Sequence, residues 1–414
     1  MTYDTVENND PFKINITLED DKDNHRKELF EKGLGALLAD EHFLLLYVPE
    51  KGSKLQIIQP ASDSYHRQRM IKRINEARQV PSFYYALSHL WGISNENRHH
   101  WNDISDYVVD EQGQPVKPVS MRPEKRDKLL AMLMDHPDSY WWIDVLCART
   151  DTPLDIMGDI YACSLECIAM VDCDPTLISE INKINAGTSQ RLKQQIWPLV
   201  DKFIKSQWWQ RVWTWQEMAL PLDVRFMAET GAYQAESNTI TIKEILAFAE
   251  WSIEISADNQ TNGNVKAMTE EAVAVKKALW DMEDTRKFTF DGKAKKSDFD
   301  VYALFRSLHQ SPRRCMDRVD YVYGVLGILR FKIPRERDPD EVWQLFLHAL
   351  TNYMGDSTRG VEFFDRAVKF DLLKAESLGD VYSELLDIYS QVYGVIMTRS
   401  VVTTVTRSSK TFVA

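Results

Sequence analysis

The sequence predicts an α/β protein with a parallel sheet flanked by helices, an N-terminal hairpin extension and a mainly α-helical C-terminal region. Between residues 81 and 230, short and almost continuously apolar segments alternate with amphipathic ones, as buried parallel strands alternate with helices. After residue 230, apolar residues recur at helical spacing. The 414 residues suit two or three domains, and we place the boundaries at 1–80, 81–230 and 231–397, with a tail at 398–414.

The first 80 residues contain two short β-prone runs, 43–48 and 54–59, that flank Pro49 and Gly52. Turn residues between two such runs favour a β-hairpin. Helices are predicted on either side of this hairpin, over 25–38 and 66–78.

The segment 81–230 contains the strand–helix alternation. Strands are predicted at 83–88, 140–146, 165–171 and 224–228. Helices are predicted at 123–136, 153–162, 192–204 and 208–220. Further helices are predicted in the C-terminal region at 242–255, 267–282, 301–309, 338–353 and 372–395. The tail after residue 398 is rich in Ser, Thr, Val and Arg, and we expect it to be frayed or an edge strand.

The composition excludes several classes of function. A net charge of −12 argues against a partner bound through nucleic-acid phosphates. No apolar run approaches the ~20 residues that span a bilayer, and the N-terminus lacks a secretory signal pattern. Five cysteines, an odd number, are typical of reduced thiols, and Cys163, Cys167 and Cys173 lack the CxxC spacing of a metal site. We therefore expect a cytoplasmic protein without a membrane span, a nucleic-acid partner or a metal.

Three patches of aromatic and acidic residues carry the candidate chemistry. ALSHLWG (86–92) ends the first central strand, and WWIDVLC (141–147) ends the second, with Asp151 just beyond. Ligands bind at these carboxyl ends in open α/β sheets. The third patch, WWQRVWTWQEM (208–218), is predicted to be helical, which places Trp213 and Glu217 on one face.

Glu217 admits two interpretations. A carboxylate beside an indole in a partly dry pocket has its charged form disfavoured, which suits acid/base or electrostatic catalysis. Alternatively, the helix is simply packed in the core and Glu217 pairs with an arginine such as Arg211 or Arg149.

The three patches together resemble the fungal heterokaryon-incompatibility (HET) domain. Its usual pattern is a strand ending LSYxWG, a WIDxLCINQxD block with a downstream IY, and an RxWxxQE helix. The resemblance covers residues 83–220, and 317–327 also resembles the DPRDKVYALLG segment that often follows this domain. Where the family has CINQ, this chain has Cys147, Ala148, Arg149 and Thr150, so two amide side chains are replaced.

The resemblance implies a TIR-like fold, with a flavodoxin-like parallel sheet flanked by helices. Enzymatic TIR domains have a W-C-x-x-E helix whose Glu is needed to cleave the nicotinamide–ribose bond of NAD. Trp213 and Glu217 have the same spacing here, with Thr214 in place of the Cys. The resemblance thus makes Glu217 the catalytic candidate and implies NAD as a substrate, with no cofactor.

The substrate-binding candidates follow from the same patches. Ser88 and Gly92 would let a ribose or phosphate approach, although Gly92 also suits a simple turn. Trp91 would stack on a base or close the sheet, and Asp144 would bond a ribose hydroxyl or fix the turn after its strand. The remaining candidates are Cys147, Asp151 and Trp213.

The resemblance leaves two functions open. One is a NAD glycohydrolase that is toxic to its own cell and acts in recognition of non-self and programmed cell death. The other is a non-catalytic signalling module that uses the same surfaces for assembly. Both predict a homo-oligomer formed through the TIR-like domain and a possible protein partner for the C-terminal helical region.

Overall fold

The computed structural model describes most of the chain. The described residues are 12–19, 25–50, 52–92, 99–186, 196–231, 238–247, 275, 277–283, 285–286, 298–355 and 357–394. The predicted tail after 398, and large parts of the predicted helices at 242–255 and 267–282, lie outside them. Residues 242–247 and 277–283 are helical, in agreement with those predictions.

A mostly parallel sheet forms the centre of the structure. Its strands are β1 (Leu45–Val48), β2 (Leu55–Ile58), β3 (Tyr84–His89), β5 (Val108–Val109), β7 (Ser139–Ile143), β8 (Cys167–Val171), β9 (Val224–Ala228) and β10 (Thr239–Thr241). A small second sheet contains β4 (His100–Trp101) and β6 (Val119–Ser120). The large sheet has the order β10-β9-β8-β3-β7-β1-β2-β5.

The four central strands β7, β3, β8 and β9 are mutually parallel, as the alternation predicts. Every residue of β7 and β8 is buried, since helices cover both faces of the sheet. The predicted hairpin is confirmed, with Leu45 opposite Ile58. It extends the same sheet, because β1 pairs antiparallel with β7.

Helices flank this sheet and continue into the C-terminal region. The first nine are α1 (His25–Ala39), α2 (Ser64–Glu76), α3 (Pro123–Met134), α4 (Asp144–Cys147), α5 (Ile156–Ala162), α6 (Leu177–Ala186), α7 (Ile196–Ile204), α8 (Gln207–Gln210) and α9 (Thr214–Ala219). The C-terminal helices are α10 (Asp298–Leu308), α11 (Asp320–Tyr323), α12 (Leu326–Leu329), α13 (Pro339–Met354), α14 (Ser357–Ala367) and α15 (Leu378–Tyr393). None of the helices in the described ranges is long and apolar enough to cross a membrane.

Three predicted elements differ in the structure. The continuous helix over 208–220 is wrong: α8 and α9 are separated at Arg211, which is extended and forms a bridge with Arg314. The strand predicted over 140–146 ends at Ile143, where α4 begins. The helix predicted from residue 372 begins only at Leu378, where Ser377 forms a capping box with Asp380.

The C-terminal region packs closely against the central segment. Gly158 in α5 faces Gly327 in α12, and a Cβ added to Gly327 would lie 2.6 Å from the Cα of Gly158. Buried apolar residues from both segments belong to one continuous core. The two helices approach this closely because neither has a side chain at the contact.

We expect Gly327→Ala to destabilise the protein by about 1–3 kcal/mol, because the added methyl group overpacks this contact. The matched control is Gly35→Ala in α1, where an added Cβ meets no atom within 4 Å. Alanine there should stabilise by about 0.5–1 kcal/mol through helix propensity. Urea unfolding measures both, and an equal effect of the two substitutions would contradict the close contact.

Candidate functional site

The candidate site lies where the parallel strands end. Polar side chains occupy each carboxyl end: Ser88 and His89 in β3, Asp144 after β7, Asp172 after β8 and Glu229 after β9. The carboxyl ends of parallel strands share one edge of the sheet, which is where ligands bind in open α/β folds. Side chains of α8 and α9 reach this edge at Ser88.

Glu217 in α9 is brought to the end of β3. Its carboxylate accepts a hydrogen bond from the Ser88 hydroxyl and another from Tyr161. The Ser88 hydroxyl in turn accepts a hydrogen bond from the indole Nε1 of Trp208, at 2.8 Å. Asp172 fixes the backbone of Trp208, since its carboxylate accepts hydrogen bonds from the amide groups of Gln207 and Trp208 at 3.0 and 2.9 Å.

The Glu217 carboxyl is nearly enclosed, with 7% of the residue exposed. Burial, together with the negative charge of Asp144, raises its pKa to about 7. The hydrogen bonds from Ser88 and Tyr161 and the charge of Arg211 oppose this shift. A carboxyl group with such a pKa exchanges its proton near neutral pH, which is the property required of an acid, a base or an electrostatic catalyst.

Asp144 forms a second group with His89 and Trp91. His89 Nε2 lies 2.9 Å from Asp144 Oδ1, and the Trp91 indole donates to Asp144 Oδ2 at 2.6 Å. Burial lowers the pKa of His89. Burial would raise the pKa of Asp144, but His89 and Trp91 outweigh it, so the pKa lies below its ordinary value. Trp91 is 48% exposed, so this group reaches the surface.

Gly92 follows at a close crossing of the chain. A Cβ on Gly92 would lie 2.8 Å from the carbonyl oxygen of His99 and from the backbone of Met121. Its own carbonyl accepts a hydrogen bond from the His99 amide. Glycine is therefore required here by the neighbouring backbone.

A buried ion pair adjoins the site and was not foreseen in the sequence. Lys125 in α3 is fully buried, and its Nζ lies 3.2 Å from Glu229 Oε2 and 3.4 Å from His89 Nδ1. Glu229 also pairs with Arg122. Burial lowers the pKa of Lys125 to about 7, and Arg122 contributes to the shift. In the sequence, Lys125 resembles any solvated charge on a helix, because its partner is far along the chain.

The other sequence-predicted residues are placed differently. Trp213 precedes α9 and its indole bonds Asp320, whose pKa burial raises to about 6, so it faces away from Glu217 toward the C-terminal region. Cys147 is fully buried at the end of α4, with its Sγ against the Ile143 amide, and burial raises the pKa of its thiol to about 12. Asp151 is exposed in the following turn.

Arg149 stands where the family pattern has an amide side chain. Its guanidinium donates to the carbonyl of Leu146 at 2.6 Å and pairs with Glu111 at 3.3 Å. It therefore caps the end of α4. In this chain the position stabilises a loop.

Glu217 does not line either of two clefts on the described surface. One, of about 420 Å3, lies beside Asp172 and Lys205 at the carboxyl end of β8. The other, of about 380 Å3, lies beside Asp138 at the amino end of β7. Within the described ranges, no group of three or more His, Cys, Asp or Glu side chains could hold a metal ion.

Gln216, next to the candidate catalytic residue, is buried without a hydrogen-bond partner for either side-chain atom. Its Oε1 lies against Gly327, at the contact between α5 and α12. An unsatisfied buried amide costs about 1–3 kcal/mol. The sequence gives no sign of this arrangement, because it depends on α12.

We expect Gln216→Met to raise the free energy of unfolding by about 1–2 kcal/mol, since methionine has a similar shape and no unsatisfied polar atoms. Gln210→Met, at a half-buried position in α8, is the control and should change stability by less than about 0.5 kcal/mol. A loss of stability in Gln216→Met would show that the amide is satisfied.

The raised pKa of Glu217 predicts a pH-dependent effect of Glu217→Gln on stability. The carboxyl ionises at lower pH in the unfolded chain than in the folded protein, so the wild type loses stability as pH rises from about 4.5 to about 7. Glutamine does not titrate. Between pH 5 and pH 8, the free energy of unfolding of the variant, measured by urea and taken relative to the wild type, should therefore increase by roughly 2–3 kcal/mol. A constant difference between the two proteins would contradict the shift.

Comparison with known proteins gives a match to a family model. Neither a curated protein nor a solved structure was found to match the chain. Residues 84–217 match the family model described as heterokaryon incompatibility protein (HET). This segment begins in β3 and ends at Glu217. The match supports a heterokaryon-incompatibility domain in the part of the chain that carries Ser88, Asp144 and Glu217.

Proposed function

We propose that this protein is an effector of heterokaryon incompatibility whose central domain hydrolyses the nicotinamide–ribose bond of NAD or a related nucleotide. The family match supports the biological role, in which recognition of non-self leads to programmed cell death. One observation carries the activity: Glu217, with its pKa raised to about 7, lies beside Ser88 at the carboxyl end of the central strand β3.

The strand order is consistent with a TIR-like, flavodoxin-like domain. Counted along the chain from β3, the parallel strands β7-β3-β8-β9 have the order 2-1-3-4. In folds with this order, ligands bind where the connections leave the first strand in opposite directions. Here that position is the end of β3 and β8, next to Ser88 and Glu217.

The reaction would transfer the ribose from nicotinamide to water. As the C1′–N bond breaks, positive charge develops on the ribose, and the transition state resembles an oxocarbenium ion. An ionised Glu217 next to the ribose stabilises that charge. Water then forms the new C1′–O bond and loses a proton, and nicotinamide leaves as the neutral base. NAD is a substrate in this scheme, and no cofactor takes part.

The remaining candidates have different places in this scheme. The half-exposed ring of Trp91 is available to stack on a base, and Asp144 beside it can accept a ribose hydroxyl. Gly92 keeps the chain close at the same edge. Trp213, Cys147 and Asp151 would act only through the structure around the site.

A non-catalytic signalling module is the second candidate, because the Glu217 carboxyl has its hydrogen-bond partners within the protein and lies outside both clefts described above. In that case Glu217 is a structural residue, and the aromatic surfaces around it serve assembly. Under either function we propose a homo-oligomer formed through the central domain and a protein partner for the C-terminal helices.

The test is release of nicotinamide from NAD by the purified full chain. Wild type should hydrolyse NAD, and Glu217→Gln should lower the rate by about 100-fold or more, as expected when a group that stabilises transition-state charge is lost. The rate should rise with pH through about 7 as Glu217 ionises. Glu166→Gln is the matched control, because Glu166 is a half-buried carboxylate at the opposite end of β8, paired with Arg225.

Two outcomes would contradict the proposed enzymatic activity. Equal rates for wild type and Glu217→Gln would remove Glu217 from the reaction. No turnover by a folded, self-associated sample would favour the signalling module.

A further inference from the structure

The helix that carries Glu217 is held at both ends by buried arginines from the C-terminal region. α9 has six residues, and a helix this short is not stable by itself. Arg313 lies at its amino end and Arg286 at its carboxyl end. Both lie beyond the segment that matches the HET family model.

Arg313 fixes the break between α8 and α9. Its Nη1 donates to the carbonyl of Arg211 at 2.7 Å and to the Thr214 hydroxyl at 2.6 Å. The guanidinium lies 5.1 Å from the ring centre of Trp215 and 5.9 Å from that of Trp209. Only 3% of the residue is exposed, so this charge is enclosed by the elements that it connects.

The backbone beside Arg313 completes the attachment. The Arg314 amide donates to the carbonyl of Gln210 at 2.6 Å, and the Val212 amide donates to the carbonyl of Arg314 at 3.1 Å. On the other side, the carbonyl of Arg313 accepts the Leu378 amide at the start of α15. Residues 313–314 therefore join the C-terminal helices to the point where the predicted helix 208–220 is broken.

Arg286 closes the other end of α9. Its guanidinium donates to the carbonyl of Met218 and, at 2.8 Å, to that of Leu222. Cations are favoured at helix carboxyl ends, where carbonyl groups lack partners. With both ends fixed, the position of Glu217 follows from contacts outside the matched segment.

Arg313 also interacts electrostatically with Glu217. Glu217 is the described carboxylate whose charge acts on Arg313. The groups with the largest effects on the pKa of Glu217 are Asp144 from α4, Ser88 from β3, Arg211 from the break and Tyr161 from α5. Arg211 acts on Asp144 and Asp320 as well, so its charge is shared among three carboxyl groups.

We propose that Arg313 is a positioning residue that the C-terminal region supplies to the Glu217 site, where it holds the break before α9 and adds a counter-charge for the buried carboxylate. The catalytic consequence rests on the proposed function. The positioning and the counter-charge are properties of the folded chain and are tested without turnover.

The experiment measures the pKa of Glu217 by 13C NMR titration of the full chain labelled at glutamate carboxyls, with the resonance assigned by its loss in Glu217→Gln. Removal of the counter-charge in Arg313→Met should raise the midpoint by about one pH unit. Arg313→Gln also removes the charge but retains a donor for Thr214, and it should give the same increase. Arg313→Lys retains the charge and should shift the midpoint by less than half as much.

Arg314→Met is the matched control, because Arg314 is exposed and only its backbone takes part in the attachment. Its midpoint should equal that of the wild type. An unchanged midpoint in a folded Arg313→Met or Arg313→Gln variant would overturn the proposal and leave Arg313 with a packing role only. If one of the two variants does not fold, the other decides. If the protein hydrolyses NAD, the pH profile should move by the same amount, whereas absent turnover would oppose only the proposed function.

Discussion

The burial of one carboxyl group at the end of a central strand is the constraint on which the arrangement of this molecule depends. An ionised carboxylate is costly to remove from water unless hydrogen bonds and opposite charges replace the solvent. Ser88 and Tyr161 supply the hydrogen bonds to Glu217. The opposing positive charges come from Arg211 and Arg313, at and behind the break between α8 and α9.

The same edge of the sheet holds a second buried charge, which explains how densely its elements are connected. Lys125 is enclosed between β3 and β9, where it meets Glu229 and the ring of His89. A buried ion pair adds little net stability compared with apolar residues, but loss of one partner leaves an uncompensated charge. Such pairs therefore fix the geometry of an edge more than its stability, and here the ring of His89 connects the pair to Asp144.

The sequence predicts what depends on local pattern. β3, β7, β8 and β9 are found because strands that are covered on both faces are almost continuously apolar. The break at Arg211 is not found, since its cause is pairing with residues about 102 positions further along the chain. The Lys125–Glu229 pair is missed for the same reason. The motifs identify Ser88, Asp144 and Glu217 as candidates. Trp213 is wrongly predicted to lie beside Glu217, because that prediction assumes an unbroken helix over 208–220.

The segment that carries the candidate chemistry is therefore not the unit that determines its geometry. The family match ends at Glu217, yet α9 is fixed from beyond it by Arg286 and Arg313, and Trp213 bonds Asp320. Any movement of the C-terminal helices would displace a counter-charge of Glu217 and alter its ionisation. Because such coupling is reciprocal, a ligand that prefers ionised Glu217 would also stabilise the packing of those helices. The physical link between the two parts of the chain is thus electrostatic as well as steric.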